Sequence, residues 1–90
     1  MQELLTIGTT LLGETYNFNW IDTSHVTDMS ELFNTNRRFN GHIELWDVSN
    51  VTTMKYMFSH AGNFNTSISD WDVSNVTNMK GMFELAVSFN

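Results

Sequence analysis

The chain has 90 residues, enough for one domain with a thin core, and its ten acids against four bases give a formal charge of −6. That balance speaks against nucleic acid and anionic lipid as partners, since both demand a basic surface. With no cysteine there is no disulfide framework and no thiolate metal site, and no apolar run approaches the ~18 residues that cross a bilayer.

The first predicted element is a short helix over residues 2–12. Leu4, Leu5, Leu11 and Leu12 can share one face, and Gly13 is a natural stop. Its expected role is to cap the first repeat, with a frayed leader as the alternative. Residues 1–17 are read as this helix and its link.

From residue 18 onward the sequence aligns on itself at a shift of 25, without a gap. Asp22/Asp47/Asp72, Ser24/Ser49/Ser74, Val26/Val51/Val76 and Thr27/Thr52/Thr77 are identical columns. So are Met29/Met54/Met79, Phe33/Phe58/Phe83, Phe39/Phe64/Phe89 and Asn40/Asn65/Asn90. A fixed period of this kind predicts a solenoid in which each repeat is one structural coil. Residues 18–90 are therefore expected to form three coils.

Each repeat divides in two. In Val51-Thr52-Thr53-Met54-Lys55-Tyr56-Met57-Phe58 the apolar residues fall at i, i+3, i+6 and i+7, which predicts a helix of about two turns. In the other half Trp46 and Val48 alternate around Asp47, and Trp71 and Val73 around Asp72, which predicts a short extended segment. The expected fold is thus an α/β repeat, with a helix and a narrow parallel sheet contributed coil by coil. Turns are expected at residues 34–38, 59–63 and 84–88, where the copies differ most.

The strings Trp46-Asp-Val-Ser-Asn-Val-Thr and Trp71-Asp-Val-Ser-Asn-Val-Thr-Asn-Met carry a family resemblance. The pattern continues through Met79-Lys-Gly-Met-Phe and Phe64-Asn-Thr-Ser-Ile-Ser-Asp-Trp, and residues 19–33 resemble the opening repeat of such arrays. Residues 18–90 resemble the BspA-like leucine-rich repeats of bacterial surface proteins, a repeat domain of unknown function common in mycoplasma surface lipoproteins. The resemblance implies a leucine-rich-repeat-like solenoid, presentation at the cell surface or outside the cell, and adhesion or host-protein binding. It implies no catalytic residues. The start, Met1-Gln-Glu-Leu-Leu, lacks the basic region of a secretory signal, which fits a cytoplasmic protein or a fragment. An end at Phe89-Asn90, midway through a repeat, fits a piece of a longer array.

Residues that carry chemistry elsewhere have plain structural readings here. The Asp column can serve as turn caps or as a calcium ladder, and each Asp lies two residues before a Ser, as a local turn requires. The Asn column suits a side-chain ladder between coils. His25, His42 and His60 fall in unrelated columns without zinc spacing. Repeated serines without a dedicated base do not make a nucleophile. No enzyme activity, metal or cofactor is expected.

The expected function is a non-catalytic contact domain, with a structural spacer and a small cytoplasmic regulatory binding protein as alternatives. Candidate contacts lie in the outer columns and variable turns: Tyr56, Arg37, Arg38, Lys55, Lys80 and His60. Tyr56 can either anchor a protein partner or pack on the neighbouring coil. Uncapped ends favour end-to-end self-association.

Overall fold

A computed structural model describes all residues, Met1–Asn90. Helix α1, Gln2–Leu12, forms over the stretch the leucines indicate and ends where the Gly13 amide donates to the Thr9 carbonyl, with Gly13 at φ 105°. The buried face differs from the expected one. Leu5, Gly8 and Thr9 turn inward, while Leu4, Ile7, Leu11 and Leu12 are all more than half exposed. Gly8 packs on the ring of Phe18, and the Gln2 side chain donates to the Glu31 carbonyl at 2.8 Å. Close approach through a glycine, rather than a leucine stripe, docks this helix.

The expected α/β solenoid of three helix-plus-strand coils does not form. Beyond α1 there is no helix, and no sheet: the only pairings are isolated parallel bridges at Asn17–His42, Asp28–Thr53 and Thr53–Asn78. The molecule is compact, with extents of 31 × 27 × 22 Å.

The backbone amides explain why. A helix sends every N–H to the carbonyl four residues back. Here the amides of Leu32, Asn34 and Asn36 reach three residues back, to Met29, Glu31 and Phe33, and make turns. The amides between them leave the segment. Met29, Glu31, Phe33 and Thr35 donate to the carbonyls of Thr53, Lys55, Met57 and Ser59 at 2.8–3.0 Å. Met54, Tyr56, Phe58 and His60 repeat the pattern toward Asn78, Lys80, Met82 and Glu84 at 2.8–2.9 Å. Local and distant bonds alternate along the chain, so neither a helix nor a strand ladder can propagate.

Left-handed residues punctuate these turns at matching places. Glu31, Tyr56 and Gly81 have φ of 60°, 56° and 62°; Thr35, His60 and Leu85 have φ of 63°, 61° and 56°. Helical spacing of the apolar residues is thus produced by successive turns. The other half of the repeat is built the same way. Trp46 and Trp71 close turns onto Ile43 and Ile68, and Val51 and Val76 onto Val48 and Val73. These turns flank Asp47 and Asp72 and leave no run of extended residues to pair.

All seven phenylalanines pack in or against the core, and six of them form two stacked columns. Phe33, Phe58 and Phe83 stack at 5.4 and 5.5 Å with rings within 5° of parallel. Phe39, Phe64 and Phe89 stack beside them at 5.8 and 5.5 Å. The two columns interleave, with centroids 4.0–4.3 Å apart within each 25-residue unit. Trp46 and Trp71 flank the stack and satisfy their indole N–H groups on the carbonyls of Phe18 and Ile43, so each ring is buried without an orphaned donor.

The Asn column also bridges units, by a different bond from the expected side-chain ladder. Asn40 and Asn65 accept through Oδ1 from the backbone amides of Asn65 and Asn90, at 2.8 and 3.1 Å.

Left-handed backbone costs a non-glycine residue roughly 1–2 kcal/mol, and most for a β-branched one. Thr35→Gly removes that cost and adds glycine's own entropy, about 0.5–1 kcal/mol. The expected net result is a gain of about 0.5–1 kcal/mol in stability, read as a higher urea midpoint.

Candidate functional site

The turns at residues 34–38, 59–63 and 84–88 stack one on the next because the period brings them into register. The Asn63 amide donates to the Arg37 carbonyl at 3.1 Å and the His60 amide to the Glu84 carbonyl at 2.8 Å. A shallow open hollow of about 500 Å3 lies across these turns. Its wall repeats the same columns. Arg37, Gly62 and Val87 form one, Arg38, Asn63 and Ser88 a second, and His60 and Leu85 a third.

Two of the chain's four basic residues meet there, with His60 facing them. The Arg38 Nε–H donates to Glu14 Oε1 at 2.9 Å, but both side chains are largely exposed and the pair is water-screened. Arg37 makes no ion pair and is exposed. His60 is half-buried, its Nδ1 2.9 Å from the Ser59 hydroxyl. Leu85 and Val87 add apolar side chains to the wall beside these groups; both are strongly exposed, Val87 at 81%. An open basic hollow next to apolar side chains can take a carboxylate and the aliphatic group next to it.

The repeat extends to a known family. The family model described as "Mycoplasma protein of unknown function, DUF285" matches residues 9–90, nearly the whole chain. The chain belongs to the DUF285 family. No curated protein and no solved structure matches it.

The remaining candidate contacts of this DUF285 chain lie outside the hollow. Tyr56 packs on the neighbouring unit: its ring occupies the space where a side chain at Gly81 would be, within 2.4 Å of a Cβ built there. It stays half-exposed, with Lys55 Nζ 5.7 Å from its centroid. Lys80 joins this cluster through its carbonyl, which accepts from the Tyr56 amide at 2.9 Å. The six candidates therefore divide into a hollow with Arg37, Arg38 and His60, and an aromatic ridge with Lys55, Tyr56 and Lys80.

In the DUF285 repeat, the Asp column acts locally. Asp22, Asp47 and Asp72 each accept from the Ser amide two residues on, at 3.0 Å. The hydroxyls of Ser24 and Ser49 add bonds of 2.7 and 2.6 Å. The side chains of Ser24, Ser49 and Ser74 first, then their amides, hold the Asp22, Asp47 and Asp72 carboxyls below their ordinary pKa. The same turns hold a further contact that identity between columns did not reveal. Asn50 and Asn75 donate side-chain N–H to the carbonyls of Ser24 and Ser49, at 2.8 and 2.7 Å. His25 replaces that asparagine in the first unit, which has no earlier unit to bond.

The repeat pattern pointed to Arg37, Arg38 and His60 but not to Leu85, Val87 and Asn63. A usable signal was present. All of them sit in the variable turn, one or two periods from a residue already singled out.

Proposed function

We propose that this DUF285 chain is a non-catalytic protein-contact domain, and that its basic hollow receives an acidic side chain of a protein partner. The single observation that carries this reading is the convergence of Arg37, Arg38 and His60 on one open, partly apolar hollow in a chain of net charge −6. Guanidinium groups suit carboxylates because their planar forks pair bidentately. An isolated basic site on an acidic surface gives orientation as well as attraction. The resemblance to BspA-like leucine-rich repeats supports the same assignment. Adhesion to a host protein and display at the bacterial surface are the finer part of the proposal.

The test uses short synthetic peptides that place one or two Glu beside a Leu, titrated against the full chain at low salt. Binding is expected to weaken at least tenfold in the double variant Arg37→Glu, Arg38→Glu and to fall with ionic strength. Equal binding of a Gln-for-Glu peptide, or an unchanged affinity in the double variant with native far-UV circular dichroism, overturns the assignment.

A further inference from the structure

Beside the buried tryptophans the repeat carries an outer surface of a different kind. Ile21, Trp46 and Trp71 lie in or against the core, while the residues on either side of each are exposed: Trp20 and Asp22, Leu45 and Asp47, Asp70 and Asp72. Trp20 is 65% exposed and Leu45 78%. Ile21 already fills the inner place in the first unit, so Trp20 is a tryptophan added to the surface. Its indole N–H meets no acceptor within the molecule, unlike those of Trp46 and Trp71. The exposure is lateral: Leu45 belongs to the middle unit, has a unit on each side of it, and is still the more exposed of the two.

Hydrogen bonds fix this surface. Asn19 Oδ1 accepts from the Leu45 amide at 2.9 Å, and its Nδ2–H donates to Glu44 Oε1 at 2.9 Å. The Thr23 hydroxyl donates to the Asp47 carbonyl at 3.0 Å. Segment 19–23 is thereby fastened along 44–47, with Trp20 and Leu45 one period apart on the outer side. Charge there has one sign. Residues 13–28, 39–54 and 64–79 hold seven of the ten acids and no Lys or Arg. The ion pairs of the molecule are Arg38–Glu14 and His42–Glu44, so no base neutralises Asp22, Asp47, Asp70 or Asp72.

We propose that this surface docks a cationic segment of a partner protein, with an arginine on the indole face of Trp20 and an apolar neighbour of that arginine on Leu45. The exposed apolar pair gives the contact its area, and charge complementarity names the occupant. A guanidinium stacks flat on an indole while its N–H groups reach carboxylates beside the ring, which the compact ammonium of lysine does less well. Asp22 and Asp47 hold their serine turns through Oδ1, which leaves Oδ2 of each to accept from outside. The unpaired indole N–H of Trp20 adds a donor for a partner carbonyl, as tryptophans at contact centres do. The surface shares no residue with the hollow of Arg37, Arg38 and His60, and it selects the opposite charge.

The test is a calorimetric titration of the full chain at low salt with a short, end-blocked peptide of alternating Arg and Leu. Saturable binding is expected, weakened about tenfold in the double variant Trp20→Ala, Leu45→Ser. A similar loss is expected in Asp22→Asn, Asp47→Asn, where the asparagine oxygens still accept from the serine turns. Native far-UV circular dichroism in both variants separates lost contact from lost folding. Glu3→Gln, Glu84→Gln removes the same charge elsewhere and is expected to bind as the native chain does. No saturable binding, equal binding of a Gln-for-Arg peptide, unchanged affinity in either surface variant, or an equal loss in the Glu3, Glu84 variant overturns the docking surface. Equal affinity for a Lys-for-Arg peptide overturns the arginine. Sedimentation of the chain by itself completes the test: self-association that the Trp20, Leu45 variant abolishes makes the occupant a second copy and overturns a partner protein.

Discussion

Phe58→Ala is expected to lower the free energy of unfolding by about 3–5 kcal/mol, the usual range for truncating a buried phenylalanine. The ring is 0% exposed and has stacked neighbours on both sides, Phe33 at 5.4 Å and Phe83 at 5.5 Å, with Phe64 at 4.1 Å alongside. Its removal leaves a cavity in the middle of the stack, and rings held by inter-unit backbone bonds cannot slide in to fill it. A marginal domain of this size has little stability to spare, so the variant is expected to be largely unfolded in mild urea. Phe83→Ala, at the half-exposed end of the same column, is expected to cost distinctly less. Equal losses in the two variants, measured by urea unfolding, are incompatible with a stack that is closed in the middle and open at the third unit.

Gly41→Ala is expected to cost about 1–3 kcal/mol by overpacking. A Cβ at this position lies 2.7 Å from the Tyr16 carbonyl oxygen and 2.7 Å from the Phe39 ring. The carbonyl is backbone and cannot rotate away, and it is already held at 3.0 Å by the His42 amide. Relief requires moving the 14–18 segment off the 40–42 segment, where the Asn40 amide also donates to Glu14 and the Phe18 amide to His42. Gly62 is the control: a Cβ there meets nothing nearer than Val87 at 4.0 Å, so Gly62→Ala is expected to be near neutral. Thermal melts of the two alanine variants check the difference, and similar melting temperatures contradict it.

Both expectations show which part of the structure the repeat made readable. The identical columns of Met and Phe, with the tryptophans beside them, form the core because only apolar side chains suit positions sealed by a neighbouring unit, as Met54, Phe58 and Phe64 are. Asp47 with Ser49 was readable as a local turn because the bond spans two residues and needs no partner elsewhere. The alternation around Trp46 was misleading. It reported burial, not backbone extension, since a turn with Ile43 and another at Val48–Val51 give the same in-and-out pattern as a strand.

Helical spacing misled for a related reason. Residues three and four apart fall on one side of a helix, and also on one side of a chain of turns interrupted by left-handed residues. Nothing in Glu31, Thr35, Tyr56 or Leu85 announces a positive φ; such residue types rarely adopt it, and only His60 is of a type enriched there. In the first two units this geometry lets the amides of Glu31, Thr35, Tyr56 and His60 reach carbonyls of the adjacent unit, and those bonds outweigh a local backbone penalty.

The sequence by itself determined the period, the apolar columns, the local aspartate turns and the helix at the start. Those features depend on neighbours along the chain or on identity between copies. The tertiary structure alone decided that the units are turns rather than helices and strands. It also brought Arg37, Arg38 and His60 to one hollow with Val87, turned α1 on its glycine face, and left the third unit's amides unpaired. Each of these depends on which carbonyl or ring lies one period away in space, and distance in space is set by packing.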